Sequence, residues 1–290
     1  MNNTTVSYQT ALPSDIQAAA HDIPSVSPLL GKIHRMSQEM ETSPRDMVKI
    51  IMLDPTLTAQ VLRLVNSSFY GLAQRVSSLA QAVVLLGMNT VKNIAVSTAL
   101  LNTMSLLERC SPLRPESFWR HCLGTALACK TLGTGQETAE LLFVAGMLHD
   151  IGKILFIRLD PDRYGKAIRE SRLFGVCLYF AEQALFGCTH MQAGAFLAHA
   201  WNFDAPLIEA IEHHHATGSR SAPYVAVANN FCKESSIGDS GNIVVEEHAA
   251  SVALQLGLRD KLTQQLAASI TDEIMQAAAF LCQPQEHSRL

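Results

Sequence analysis

The segment from Ala139 to Phe156 is almost wholly apolar, yet a histidine and an aspartate, His149 and Asp150, stand side by side in its centre. A segment of this kind has to be buried, and burying an imidazole and a carboxylate without partners costs several kcal/mol. Two arrangements would satisfy the pair. One is a plain His–Asp hydrogen bond in a helical core, and the other is a divalent metal, which takes neutral imidazole and carboxylate as ligands.

The spacing of apolar residues predicts an all-α fold. No segment alternates between apolar and polar residues with period 2, and Gly or Pro interrupts the helical patterns about every 12 to 20 residues. Helix starts are predicted at Ser43-Pro44 and Asp160-Pro161. The segment around His149 is predicted as one helix that ends near Arg158, and a helix from Pro206 is predicted to carry histidines 213–215 in its last turn. The chain is therefore expected to form a multi-helix bundle.

Composition excludes several classes of protein. Hydrophobic residues make up 48% of the chain and charged residues 17%, which is typical of a compact soluble protein and not of a disordered one. The net charge of −4 offers no basic surface for nucleic acid, and no apolar run is long enough to cross a membrane. The seven cysteines are scattered without a CxxC pair, which favours a reducing, cytoplasmic setting.

The chain divides into two predicted helical halves. Residues 1–10 and 284–290 are polar and are expected to form disordered tails. The Pro-containing break at residues 111–115 is the predicted internal boundary, so that an N-terminal helical half covers residues 11–112 and a second half covers residues 113–283.

Histidines are concentrated in the second half, on four successive predicted helices. Helix bundles build metal sites from such positions in their cores. The candidate ligands are His121, His149, Asp150, His190, His214 and His215. This set suits zinc, iron, manganese or nickel, and a shared carboxylate could bridge two ions. The alternative is a hydrogen-bonded polar cluster without metal. His215 could instead cap the end of its helix, where a cationic side chain is favoured, and His213 is expected at the surface.

The order of these motifs resembles the HD superfamily, which is named for its His-Asp pair. The run from His149 to Lys153 is identical to the form common in the HD-GYP phosphodiesterases of that superfamily. His121, the His190-x-x-x-Gly194 motif and the His214-His215 pair fall where the other metal ligands of the superfamily lie. Lys153 would then contact a phosphate or another anion near the metal; otherwise it is a cation at a helix end.

A larger part of the chain, about residues 12 to 235, resembles the HDOD proteins, whose domain is related to HD hydrolases. The motifs are Asp54-Pro55-x-Leu57-Thr58-Ala59, Arg63 to Gly71, Ser78-Leu79-x-x-Ala82-Val83-x-x-Leu86-Gly87, Phe186-Gly187-x-x-His190, and Trp201-Asn202-x-x-x-Pro206. The resemblance implies a helical N-terminal HDOD subdomain that HD hydrolases lack, an HD-like second subdomain, and a role in bacterial signal transduction. Within the first half, the Asn66-Ser67-Ser68 run is interpreted as a helix cap and turn, with a ligand- or partner-contacting surface as the alternative.

Two departures from the hydrolase pattern point away from catalysis. HD hydrolases place a late aspartate ligand where this chain has Asn229-Asn230, and the Gly-Tyr-Pro signature is absent after the His pair. The first hypothesis is therefore a non-catalytic regulator with a retained metal cluster, which acts on a signalling partner and is gated by metal or a nucleotide. The second hypothesis is a metal-dependent phosphohydrolase or phosphodiesterase acting on a nucleotide or cyclic dinucleotide. No receiver-like or GGDEF-type segment is recognised, so the input is expected from another chain or a ligand.

Overall fold

The computed structural model describes residues 12–21, 43–53, 55–66, 76–105, 111–133, 139–201, 203–216 and 219–281. These residues form helices and connecting turns without a strand, which confirms the predicted all-α class. None of the helices in these ranges combines the length and apolar character that crossing a bilayer requires. The proposed tails lie outside the described residues, and the division into two halves near residue 112 stays a prediction.

The described residues of the N-terminal part form five helices. They are α1 (Ser14–His21), α2 (Pro44–Ile51), α3 (Pro55–Val65), α4 (Leu79–Leu86) and α5 (Met88–Ser105). As predicted, Ser43 caps α2 by accepting a hydrogen bond from the Asp46 backbone N–H, and Pro44 occupies the first helical position. Helix α4 starts at Leu79, where the side chain of Ser78 caps it by accepting a hydrogen bond from the Gln81 backbone N–H.

Ten helices and a short 3₁₀ turn (Arg259–Lys261) lie within the C-terminal ranges that the structure describes. The helices are α6 (Pro115–Leu132), α7 (Ala139–Leu148), α8 (Gly152–Leu159), α9 (Pro161–Phe174), α10 (Leu178–Phe186), α11 (His190–Ala200), α12 (Ala205–Glu212), α13 (Ala222–Glu234), α14 (Glu247–Gln255) and α15 (Gln264–Leu281). Sequence reasoning named no helix over α15, although Leu266, Ile270 and Ile274 recur at helical spacing there and the two isoleucines are buried.

Helix α6 lies at the centre of the molecule. It packs against α7 most extensively and also against α5, α13 and α15. Its side chains Phe118, Trp119, Cys122 and Ala126 are completely buried. Because α6 also carries His121, a central and largely buried helix holds one of the candidate ligands.

Asn66 ties the end of α3 to the start of the next segment. Its side-chain amide donates to the Val76 carbonyl (2.8 Å), and its side-chain oxygen accepts from the Val76 backbone N–H (2.6 Å). These bonds join residue 66 to residue 76, which supports the structural interpretation of Asn66. Ser67, Ser68 and Gly71 lie outside the described residues.

Candidate metal centre

The His149–Asp150 pair lies in a break between two helices, which corrects the expectation of one continuous helix. Helix α7 ends at Leu148, residues 149–151 form a tight turn, and α8 begins at Gly152. The His149 ring donates its Nδ1–H to the Gly146 carbonyl (2.8 Å), three residues back. Ile151 and Lys153 then bond to carbonyls three residues back instead of four. The turn lets His149 and Asp150 point together into the core.

The same device positions His214. Helix α12 ends at Glu212, so that residues 213–215 lie in the turn beyond the helix and not in its last turn as predicted. The His214 ring donates its Nδ1–H to the Ile211 carbonyl (2.7 Å), again three residues back. At both helix ends the ring satisfies a carbonyl that has lost its helical partner. In both cases the ring is thereby held in one orientation.

A close contact between two glycines brings α8 against α11. A Cβ added to Gly152 would lie 2.0 Å from the His190 carbonyl oxygen and 2.5 Å from the Gly194 backbone nitrogen. Only glycine permits this approach, which places His190 at the start of α11 beside the His149–Asp150 turn. The glycines of the two motifs therefore act together.

We expect Gly152→Ala to destabilise the protein by at least the roughly 1–3 kcal/mol typical of overpacking, since backbone atoms cannot move aside as a flexible side chain can. Chemical denaturation of the purified protein measures this change. Gly165→Ala in α9 is the matched control, because the nearest atoms there belong to side chains at 3.2 Å and 3.3 Å. The control should be close to neutral. Equal stability of the two variants would contradict the proposed close contact.

Four imidazoles surround the Asp150 carboxylate. Its Oδ1 lies 3.3 Å from His190 Nε2 and 3.8 Å from His214 Nε2. Its Oδ2 lies 3.3 Å from His149 Nε2 and 3.9 Å from His121 Nε2. The carboxylate therefore stands between two pairs of histidines. All five residues are at most 1% exposed.

Hydrogen bonds on the far side of three rings fix which nitrogen carries the hydrogen. His149 and His214 donate Nδ1–H to carbonyl oxygens, and His190 donates Nδ1–H to Glu182 Oε2 (2.5 Å). In the neutral rings the Nε2 atoms then present lone pairs toward Asp150. Histidine ligands of metals are commonly oriented by such outer hydrogen bonds.

Nε2 lone pairs that face one another repel unless a cation lies between them. His190 Nε2 and His214 Nε2 are 3.2 Å apart, and Nδ1 of each ring already carries the hydrogen. The buried atoms His121 Nε2, His149 Nε2 and Asp150 Oδ1 have no hydrogen-bond partner among the described residues. Buried acceptors without donors are costly unless a proton or metal ion satisfies them. The donor set and its unpaired atoms fit a divalent metal.

Burial keeps several of these rings neutral. It lowers the pKa of His121 to about 3, with His149 adding to the effect and Asp150 opposing it. It also lowers the pKa of His214 well below the usual range, together with the neighbouring His215 and His149. Burial alone would raise the pKa of Asp150, but His149 and Lys153 outweigh it and hold that pKa well below its ordinary value. Neutral imidazoles around an ionised carboxylate are the forms that bind metal.

Lys153 lies inside the cluster and not at the surface. Its Nζ donates to Asp150 Oδ2 (2.7 Å) and to the Ser240 carbonyl (2.9 Å), and the residue is 1% exposed. Gly238 in the same loop packs against the His121 backbone, since a Cβ there would lie 2.3 Å from His121 N. In this state the ammonium neutralises one oxygen of Asp150.

His215 is placed beside the cluster and is held by a second acidic residue. Its ring donates Nδ1–H to Glu246 (2.8 Å to Oε1), and Lys233 Nζ donates to the same carboxylate (3.1 Å). Burial lowers the pKa of His215 to about 4, against the opposing effect of Glu246. Suitable ligand atoms of His190, His214 and His215 lie within 4.8 Å of one another, as do those of His121, His149 and Asp150. His213 is half-buried and belongs to neither group.

Sequence reasoning missed the residues that support the ligands. Glu182 accepts from both the backbone N–H and the ring of His190, and Tyr164 donates its hydroxyl to the other Glu182 oxygen (3.0 Å). Glu182 is fully buried. The sequence did offer one signal for Glu182, since it is the only acidic residue of the apolar helix α10. Its contact with His190 crosses the turn at Gly187, however, and cannot be predicted from helical spacing.

The structure places the two asparagines of α13 differently. Asn230 exchanges two hydrogen bonds with the backbone of Glu246 (2.9 Å and 3.0 Å), which positions the carboxylate that holds His215. Asn229 is buried, and its Oδ1 has no hydrogen-bond partner within the described part of the chain. Whether Asn229 replaces a hydrolase aspartate stays a prediction.

Comparison with known proteins identifies the family. A family model of the HDOD domain matches residues 23–217. The chain belongs to the HDOD family. Its fold is shared by an HDOD domain protein of unknown function from Geobacter sulfurreducens (TM-score 0.74, 22% identity, 92% of this chain and 98% of that one).

Some other similar proteins carry more specific names. One, from Marinobacter aquaeolei, is provisionally named a signal transduction protein (TM-score 0.74, 21% identity, 96% of this chain and 68% of that one). Another, from Shewanella amazonensis, is provisionally named a metal-dependent phosphohydrolase (TM-score 0.56, 16% identity, 93% of this chain and 100% of that one). An uncharacterised protein of Treponema pallidum is 25% identical over 211 residues, which cover 71% of this chain and only 40% of that protein. These likenesses establish the fold.

Proposed function

We propose that this HDOD protein is a non-catalytic regulator in bacterial signal transduction whose buried His/Asp centre binds one or two divalent transition-metal ions. The observation that carries the proposal is the convergence of imidazole Nε2 atoms on the fully buried Asp150 carboxylate. The name of the Marinobacter aquaeolei protein supports the signalling role. Described cysteines are unpaired and buried, which fits a reducing compartment such as the cytoplasm.

The proposed ligands are His121, His149, Asp150, His190, His214 and His215. Imidazole with one carboxylate suits iron, manganese, zinc or nickel. A bound ion would supply positive charge and Lewis acidity at the centre of the bundle. Because the ligands come from α6, the α7–α8 turn, α11 and the turn after α12, metal occupancy would stabilise the packing of these elements on one another.

Three features favour a regulatory centre over a catalytic one. The five central residues are at most 1% exposed, whereas a catalytic metal needs an open position for water and substrate. Lys153 donates to an oxygen of Asp150 that a bridging carboxylate would turn toward metal. The chain has neutral Asn229 where an aspartate is expected, and a neutral amide compensates metal charge poorly.

We expect the purified protein to contain about one or two equivalents of iron, manganese, zinc or nickel, because five imidazoles and one carboxylate are available as ligands. Elemental analysis measures this content. His149→Ala should lose most of the metal, and His248→Ala, which changes an exposed histidine, should retain it. A wild-type protein without metal after purification and after addition of Mn²⁺ or Fe²⁺ would overturn the proposed centre.

The second candidate is a metal-dependent phosphohydrolase. It is favoured by the extent of the histidine set and by the name of the Shewanella amazonensis protein. The metal-loaded protein is tested for hydrolysis of bis-p-nitrophenyl phosphate and of cyclic dinucleotides with Mn²⁺ or Fe²⁺. We expect no hydrolysis above the level of the His149→Ala variant. Activity that disappears in that variant would establish the second candidate in place of the first.

The proposed partner is another signalling protein, and a nucleotide is a proposed effector. Affinity capture from the native cell, with metal-loaded wild-type protein and with His149→Ala as baits, tests the first. A partner that binds only the metal-loaded bait would support regulation through the centre. A partner that binds both baits equally would argue against gating by metal.

A further inference from the structure

A cavity lies apart from the candidate metal ligands, where helices of both predicted halves meet. It has a volume of about 290 Å³. Helices α4 and α5 supply one wall, α6 and α7 a second, and α15 a third. Its lining is mostly apolar and includes Ile94, Trp119, Leu123, Leu127, Phe143 and Ala277. A concave apolar site with a few polar groups is the usual form of a small-molecule site.

Asn93 is a polar lining residue with unused hydrogen-bonding capacity. It is 7% exposed, and its Oδ1 has no hydrogen-bond partner among the described residues. The neighbouring polar groups are engaged, because Ser97 donates to the Asn93 carbonyl (2.9 Å) and Trp119 donates to the Ser97 carbonyl (3.3 Å). Rotation of the amide by half a turn exchanges its oxygen and its NH₂, so Asn93 can offer an acceptor or a donor. A buried amide of this kind is costly unless a ligand or water completes it.

The charges at the rim compensate each other. Lys130 is exposed and Glu273 is half-buried, and both line the cavity. Burial raises the pKa of the Glu273 carboxyl, and the Lys130 ammonium opposes that shift. A cavity with one charge of each sign gives no net attraction to an anion. The phosphates of a nucleotide would therefore find no dedicated site here.

We propose that this cavity binds a neutral, planar heterocycle that carries a cyclic amide edge, with N–H and C=O side by side. Such an edge is complementary to the Asn93 side chain, and a flat apolar body matches walls made by Trp119, Phe143 and the leucines. A free nucleobase or nucleoside and a bicyclic lactam share this chemistry. None of the lining residues is a candidate metal ligand.

Titration of the isotope-labelled full chain, followed by amide shifts in NMR spectra, tests the proposal. The probes are 2-quinolinone, its 1-methyl derivative and guanosine. We expect 2-quinolinone to cause saturable shifts at residues 90–97 and at Phe143, and the 1-methyl derivative to bind about tenfold more weakly, since it has lost the N–H donor. Guanosine distinguishes the two classes of ligand. Binding as tight as that of 2-quinolinone, or tighter, favours a nucleobase, and weaker binding favours a bicyclic lactam.

Two variants complete the test. Asn93→Leu keeps the shape of the side chain but removes the amide, so it should abolish the preference for 2-quinolinone over its methyl derivative. Thr90→Phe, at a half-buried lining position, should fill the cavity and weaken both probes at least tenfold. The proposal fails if neither 2-quinolinone nor guanosine binds, if wild-type protein binds 2-quinolinone and its methyl derivative equally, or if Asn93→Leu retains the preference. The comparison of the two probes on wild-type protein decides the matter even if Asn93→Leu does not fold.

Discussion

Replacing Asp150 by asparagine is expected to lower the free energy of unfolding of the metal-free protein by about 3–5 kcal/mol. The substitution preserves shape but removes the charge that compensates Lys153. Lys153 is 1% exposed, and its Nζ is 2.7 Å from Asp150 Oδ2. Breaking a buried ion pair by neutralising one partner leaves the other charge without compensation, and the cost of that charge exceeds the value of the bond itself.

The measurement is urea denaturation in the presence of a chelator, so that loss of metal does not contribute. The double variant Asp150→Asn, Lys153→Met is the matched control, since it removes both charges and keeps the aliphatic stem. We expect the double variant to recover most of the stability lost by Asp150→Asn. If the effects of the two substitutions simply add, Lys153 does not depend on Asp150 and the proposed ion pair is wrong.

Helix periodicity and punctuation were sufficient to predict the fold class and several boundaries. Ser43-Pro44 and Asp160-Pro161 start helices as predicted, because capping is a local property of two or three residues. The turn at His149 was not predictable from periodicity. In an almost wholly apolar segment, the spacing of apolar residues is the same for a continuous helix and for two helices separated by a short turn. In a continuous helix the Gly146 carbonyl would accept from the backbone N–H of residue 150. Here the His149 ring takes that place, and whether it does so depends on tertiary packing.

The histidines of the site were predictable from their order, but the atoms that orient them were not. His121, His149, His190 and His214 do converge on Asp150, as their positions on successive helices suggested. Glu182 and Glu246, which hold His190 and His215, lie on other elements and reach the rings only through the folded packing. The sequence placed Lys153 either near an anion beside the metal or at a helix end. It lies in the first turn of α8, and its side chain pairs with Asp150. The candidate ligands could be proposed from the sequence, whereas the residues that orient them are found only in the folded structure. That the histidines bind metal stays a prediction.

The second large effect is a loss of folding stability as the pH is lowered. Burial lowers the pKa of His121 to about 3, that of His215 to about 4, and that of His214 well below the usual range. In the unfolded chain each ring would titrate near the ordinary histidine pKa of 6.5. As the pH falls through 6.5 the unfolded chain takes up these protons while the folded protein does not. The stability is therefore fully present above about 6.5 and is lost progressively as the pH falls toward the folded values.

Three such rings give an upper limit of roughly 4 kcal/mol of stability lost per pH unit below 6 in the metal-free protein. Denaturation midpoints measured in chelator at several values between pH 7 and pH 5 provide the slope. His121→Gln removes one of the three rings. It should therefore reduce the slope of the free energy of unfolding against pH by the amount that corresponds to one proton, even though it also changes stability at pH 7. His248→Gln, at an exposed position, should leave the slope unchanged. A flat profile across this range would mean that the rings are already protonated in the folded protein, and the neutral, metal-ready arrangement around Asp150 would then be wrong.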